Sequence, residues 1–306
     1  MRPIHSTFYL VSGFLFACTA VIFGCSSESV SPPAIVPRHF KVEVPFLLTS
    51  RGIIINTYWG AKRTHHVLCL DNYSPSWIRE GAIQYDNSFV RLKKQTFKTT
   101  TADGTPVAGE VGLCDSLRFE DLTFLNAPFY VMPAQADGKE NDDGVVGSEL
   151  MAQGIWKIDF RSSVLTFTST IDSLPGMNAT EVFPASFTEG SIELGVKFSN
   201  DVEQSIGIDL GFNGDFLLPA DAFKNVSGQR KSFTETKKFS TPASWNIVNV
   251  TTTLDTVQIG HNWYFAFVST SDTVKERLLG LQFFRRFDYV IFDFINERVY
   301  LPKKVW

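Results

Sequence analysis

The chain has 306 residues, room for about two domains of roughly 150 residues each, and it is 44% apolar and only 20% charged. That composition supplies a sizeable core and excludes disorder along the whole length. Lys+Arg at 28 against Asp+Glu at 32 gives a net charge of −4, without the basic block that a duplex nucleic-acid binder needs. Aromatics reach 14%, 28 of them Phe, and long Ala/Leu/Glu/Lys runs are scarce, which leans the fold toward β structure. The 5 His and 4 Cys lack metal-ligand spacing, so neither a metal nor a cofactor is expected.

Residues 1–25 read as an export signal. Arg2 gives a positive start, and Phe8 to Phe23 form an apolar stretch too short for a spanning helix of about 20 residues. The stretch ends in Ile22-Phe23-Gly24-Cys25, which resembles a bacterial lipobox, so Cys25 is the expected lipidation site. Ser26 to Arg38 holds three Pro and four Ser, and residues 26–40 read as a flexible tether. Export leaves Cys69 and Cys114 in the mature chain. A disulfide between them and two buried free thiols both fit their apolar surroundings.

The remainder is written twice. Val145-Val146-Gly147 and Leu278-Leu279-Gly280 each precede a short amphipathic turn, an aromatic-rich strand, a polar turn and a last strand. Gly147 and Gly280 are 133 residues apart (280 − 147). Upstream, the apolar strands His66-Val67-Leu68-Cys69-Leu70 and Ser205-Ile206-Gly207-Ile208 both end on an Asp, at Asp71 and Asp209, 138 apart (209 − 71). Two landmarks with nearly equal offsets argue for duplication and fusion. Ile53-Ile54-Ile55 and Ile192-Glu193-Leu194-Gly195-Val196 open the halves as strands. The expected organisation is an N-terminal lobe at 41–168, a linker at 169–190 and a C-terminal lobe at 191–306, all-β with short helices. Asp103-Gly104 marks a tight hairpin inside the first lobe.

An Asp at a strand end in each of two facing lobes would bring two carboxylates into one cleft. Like charges about 3 Å apart cannot both ionise, so such a pair shares one proton. It can then act as general acid and base in hydrolysis of an amide bond.

This arrangement resembles the pepsin/retropepsin family of aspartic proteases over nearly all of residues 41–306, and its closing run Gly280 to Leu301 looks like exported bacterial members of the retropepsin-like group. The family carries hydrophobic-Asp-Thr-Gly in each lobe, followed later by hydrophobic-hydrophobic-Gly. The second lobe follows that outline in Ile208-Asp209-Leu210-Gly211 and Leu278-Leu279-Gly280. The resemblance implies two barrel-like lobes around a peptide-binding cleft, Asp71 and Asp209 as catalytic residues, and Gly147 and Gly280 packed beside the active-site turns. It also implies a substrate-covering flap near Asp103-Gly104.

The first lobe departs from the pattern, reading Asp71-Asn72-Tyr73-Ser74-Pro75-Ser76-Trp77. Tyr73 stands where the family has Gly and should obstruct the turn. Asn72 and Leu210 stand where the family has two Thr that brace the lobes, and Leu cannot donate, so the bracing is expected to be lost. Aligning Trp77 with Phe216 makes the first turn one residue short. The expected partner is a peptide or unfolded protein segment, met as a monomer. The expected location is a membrane-anchored lipoprotein on the periplasmic face or cell surface. The alternative is an inactive pseudoprotease that holds a peptide or protein partner in its cleft. His65 and His66 are adjacent on a strand and so face opposite ways, and Glu140 to Asp143 reads as a solvated acidic turn.

Overall fold

A computed structural model describes residues 32–50, 52–100, 106–132, 142–177, 180–188, 191–228, 230–240 and 245–303. Cys25 and the hairpin tip at Asp103-Gly104 lie outside the described residues.

The first lobe runs through β1 (Ala34–Val36), β2 (Lys41–Thr49), β3 (Gly52–Trp59), β4 (Thr64–Leu70), β5 (Trp77–Arg79) and α1 (Glu80–Ile83). It continues through β6 (Phe89–Thr100), β7 (Pro106–Phe119), β8 (Leu122–Met132), β9 (Gly144–Val146), α2 (Ser148–Met151), β10 (Ile155–Asp159) and β11 (Val164–Thr168). β12 (Thr180–Thr188) leads into the second lobe, with β13 (Ser191–Phe198), β14 (Glu203–Asp209), β15 (Phe216–Leu217), α3 (Ala220–Ser227) and β16 (Ser232–Ser240). The chain then forms β17 (Trp245–Ile259), β18 (Asn262–Thr270), β19 (Leu278–Gly280), α4 (Leu281–Phe284), β20 (Tyr289–Asp293) and β21 (Arg298–Pro302). Two-residue alternation drives these strands. In β18, for example, Tyr264, Ala266 and Val268 are buried while Trp263, Phe265 and Phe267 face outward.

Inside each lobe the same four-strand pattern recurs. β4 runs parallel to β9, β9 antiparallel to β5, and β5 parallel to β8. In the second lobe β14, β19, β15 and β18 repeat it strand for strand. The register pairs Leu70 with Val146 and Asp209 with Gly280, which makes Asp71 and Asp209 structural counterparts. The counterpart of Trp77, which lies opposite Val145, is Leu217, opposite Leu278. Leu217 is eight residues past Asp209 and Trp77 six past Asp71, so the first turn is two residues short, not one, and Phe216 is the wrong partner for Trp77.

The lobes meet in a six-stranded antiparallel sheet ordered β2–β11–β10–β20–β21–β12. Its centre joins the repeated aromatic strands to each other, with Ile158 opposite Val290 and Trp156 opposite Phe292. Phenylalanine-rich packing backs this sheet on both sides. Trp156 stacks on Phe167 at 4.0 Å, and Phe284 meets Phe292 edge-on at 5.6 Å. Each fully buried ring contributes about 1.5–3 kcal/mol, so one core spans both lobes.

Two stretches read as connectors carry strands. β1 lies inside the expected tether, where apolar Ala34-Ile35-Val36 pairs with Leu125, Phe124 and Thr123 of β8. β12 lies inside the expected linker and bridges β21 of the inter-lobe sheet to β13. Proline and serine mark the loops around these strands, but three consecutive apolar or β-branched residues suffice to fill an open sheet edge. Cys69 and Cys114 are buried thiols with no disulfide between them, Cys114 in the main core and Cys69 in a separate apolar cluster.

Candidate active site

The parallel pairing of β4 with β9 and of β14 with β19 delivers each Asp to the entrance of a short helix. The Asp71 N–H donates to the Val146 carbonyl at 3.1 Å, and Gly147 and Gly280 lead into α2 and α4. Both glycines are needed for close approach. A Cβ on Gly147 would stand 2.3 Å from the backbone of Pro75 and Ser76, and one on Gly280 would stand 2.4 Å from the Phe212 and Gly214 carbonyl oxygens.

The Asp71 and Asp209 carboxyls face each other across the lobes, both within 3.2 Å of the position a Cβ on Gly211 would take. Backbone donors hold each carboxyl. Tyr73 N–H reaches Asp71 Oδ1 at 3.0 Å, and Gly211 and Phe212 N–H reach Asp209 Oδ1 at 2.8 and 3.0 Å. Gly211 leaves room for the pair, since a Cβ there would lie 2.5 Å from Asp71 Oδ2. Burial raises both carboxyls above the ordinary range, and the neighbouring charge of Asp71 drives Asp209 up further. Like charges so placed resist ionising together, so the pair shares a proton.

Asn72 corrects the expectation that inter-lobe bracing is lost. Its side chain is fully buried and crosses the cleft floor: Nδ2 donates to the Ile208 carbonyl at 2.8 Å, and Oδ1 accepts from Leu210 N–H at 3.0 Å. An amide carries donor and acceptor on one planar head, so a single residue of the first lobe makes both bonds. Leu210 takes part through its backbone and buries its side chain. Tyr73 does not obstruct the turn either. Its ring leaves the first lobe and lies against Gly207, with its hydroxyl donating to Glu276 Oε2 at 3.2 Å.

No family model matches the chain, and no curated protein matches it. Among solved structures, the aspartic proteinase from Irpex lacteus superposes with a TM-score of 0.57 at 16% identity, covering 86% of this chain and 97% of that one. The fold is pepsin-like. Its all-β, two-lobed character is the architecture the sequence implied, and the paired aspartates sit where the two halves of this pepsin-like fold face each other.

Polar residues beneath the turns complete the site, and sequence reading singled out few of them. In the first lobe Glu149 Oε2 accepts from Ser76 N–H at 2.8 Å and Oγ at 3.1 Å, while Ser76 Oγ accepts from Gly147 N–H at 2.9 Å. Burial raises Glu149. In the second lobe Asp215 receives both oxygens' worth of bonds from Arg286 at 2.8 Å and accepts Phe267 N–H at 2.9 Å. Glu149 follows Gly147 by two residues, a spacing visible in the sequence. Arg286 lies 71 residues from Asp215 and gave no local signal.

His65 and His66 do face opposite ways. His65 is exposed and bonds Asn56 Oδ1 at 2.8 Å; His66 is buried against Trp59. His66 Nε2 lies 3.0 Å from Asp86 and Nδ1 3.4 Å from Asp143. Burial pulls the imidazole down, but the carboxylates of Asp143 and Asp86 outweigh it and the net shift is upward. The two carboxylates sit on opposite ring nitrogens, so they do not converge on a point, and among the described residues no His/Cys/Asp/Glu group is arranged for a metal. The expected solvated turn is instead structural at its end. Asp142 is buried and pairs with Arg79 at 3.4 Å, and Asp143 ties β4 to β9 by accepting Val67 N–H at 2.9 Å.

Proposed function

We propose that the chain is an exported, lipid-anchored aspartic endopeptidase that hydrolyses extended peptides held between its lobes. The observation that carries this reading is the facing Asp71–Asp209 pair, each carboxyl held by backbone N–H groups of its own turn. One carboxyl of the pair holds the shared proton and the other is ionised. The ionised carboxylate takes a proton from water as the water oxygen bonds to the scissile carbonyl carbon, and the protonated one donates to the carbonyl oxygen. Collapse of the tetrahedral intermediate breaks the C–N bond and sends the proton to the leaving amine. This chemistry needs no covalent enzyme intermediate.

Export and anchoring draw on the apolar stretch ending in Gly24-Cys25. Cys25→Ser should move the chain from the membrane fraction to the soluble fraction of the exported pool. Peptidase activity is tested with a peptide library from acid to neutral pH, beside Asp71→Asn and Asp209→Asn. Cleavage by wild type and its loss in both variants is expected; cleavage retained in both ends the reading. A second reading, a non-catalytic relative that holds a peptide or protein, is favoured by Leu210, whose side chain cannot brace the cleft. Peptide capture without cleavage would decide for it.

A further inference from the structure

The register that equates Asp71 with Asp209 also equates Tyr73 with Gly211, Cys69 with Gly207 and Asp143 with Glu276. At these three positions the lobes differ, and the differences converge on one contact. The Tyr73 backbone is fixed at the aspartate pair by its N–H bond to Asp71 Oδ1. Its ring crosses into the second lobe and packs with Phe212 over Leu217, Val274 and Leu278. Gly207 provides the seat, since a Cβ there would stand 2.8 Å from Tyr73 Cε2. Glu276 provides the anchor for the hydroxyl at 3.2 Å, whereas its counterpart Asp143 turns into its own lobe toward His66.

We propose that Tyr73 is a positioning residue: it clasps the first turn to the second lobe and holds the two aspartates together, replacing the side-chain tie that Leu210 does not supply. The inference rests on reading Asp71 and Asp209 as the working pair. The inter-lobe sheet and core already join the lobes; at the aspartates themselves Asn72 grips the backbone at the end of β14, at Ile208 and Leu210. The next residue adds a hold on a separate strand, β19, and its approach. Burial, then the charges of Glu276, Asp209 and Glu193 facing it, hold the phenol well above its ordinary value, so it remains a donor at any pH where the pair works.

The test follows the aspartate carboxyl carbons by NMR titration in the full-length chain, alongside peptide turnover. Wild type should show two well-separated apparent pKa values. Tyr73→Phe, which keeps the ring, should narrow that separation and lower kcat about tenfold with KM little changed, as for one lost hydrogen bond to a charged group. Tyr73→Gly should lower kcat about 100-fold, the effect of misplacing reacting groups by about 1 Å. Glu276→Gln, whose amide oxygen still accepts, should restore most of what Glu276→Ala loses. Tyr73→Phe combined with Glu276→Ala should be no worse than either alone.

Unchanged separation and kcat in Tyr73→Phe and Tyr73→Gly, with only thermal stability reduced, would overturn the positioning role. If wild type shows the split titration and Tyr73→Phe narrows it, yet no peptide is cleaved, the clasp stands and the peptidase reading falls. If turnover depends on Asp209 but not on Tyr73, the reverse holds. An unsplit wild-type titration overturns both.

Discussion

The two aspartate-bearing turns occupy the same place in the two lobes and differ in what they send across. The first, Asp71-Asn72-Tyr73, sends two side chains across the cleft: Asn72 to the backbone at Ile208 and Leu210, and Tyr73 to Gly207 and Glu276. The second, Asp209-Leu210-Gly211, offers backbone groups, a glycine that admits Asp71, and a leucine that fills its own core, and reaches across further along, where Asn213 Nδ2 donates to the Ser50 carbonyl at 3.0 Å. A symmetric brace needs a hydroxyl from each lobe. Here an amide with both donor and acceptor allows one lobe to make both bonds, which frees position 210 for burial. Duplication fixed the backbone frame twice, and side chains were then free to specialise on either side.

That asymmetry is most sharply tested at the aspartates. Asp71→Asn and Asp209→Asn should each lower peptide cleavage by about 10²–10⁴-fold, the range for loss of a positioned acid or base. Stability should move the other way. Both carboxyls are raised in the folded state, so the folded chain binds the proton more tightly than the unfolded chain. Stability contributed by these groups is therefore present at acid pH and lost as pH climbs through the raised values. Asp209→Asn should raise the melting temperature at pH 7 and much less near pH 4; equal gains at both would show the groups unperturbed.

Next comes the brace. Asn72→Ala strands the Leu210 N–H and Ile208 carbonyl without partners, at about 1–3 kcal/mol each, and should reduce turnover about 100-fold. Asn72→Thr, with one hydroxyl able to donate and accept, should recover part of both. Leu210→Thr should cost stability by exposing a hydroxyl to the core without improving turnover. A gain in turnover would mean that the second half of a symmetric brace is still wanted.

The paired glycines should respond alike. Gly147→Ala and Gly280→Ala both drive a Cβ into backbone and should cost about 1–3 kcal/mol each by overpacking, measured by urea unfolding. A large inequality would mean that the lobes tolerate strain differently.

The smallest effect concerns His66, whose counterpart in the second lobe is Gln204. The imidazole is raised above 6.5 while its partners Asp86 and Asp143 are lowered below 3.8 by His66, by Ser88 and Val67 N–H groups, and against the opposing effect of burial. The stability from His66 is complete below 6.5 and fades as pH rises through its raised value; that from the carboxylates fades as pH falls through their lowered values. His66→Gln, which makes the first lobe resemble the second here, should flatten the alkaline side of the melting profile and leave the acid side sloping.

Much of this site was legible in the sequence because its frame is local and repeated. An apolar strand ending in Asp, and two aliphatics followed by Gly, are short patterns set by strand period and close packing, and their recurrence at nearly equal offsets located both aspartates and both glycines. The reading failed where a residue's role depended on what lies across the cleft. Asn72 and Tyr73 were judged by the Thr and Gly they replace, although their partners lie 136 residues away at Ile208 and 203 away at Glu276. The strands β1 and β12 were missed because neither has a pattern of its own; each forms because an edge was waiting for it.

Within a length that merely allowed two domains, the repeated landmarks by themselves determined one lobe used twice, with an Asp and a Gly in each copy. Only the tertiary structure decided that Asn72 would take both bonds of the brace and Tyr73 would cross to the opposite lobe. The reason is physical: strand period and glycine packing are written within a few residues, whereas a hydrogen bond between lobes depends on where two distant backbones have been placed.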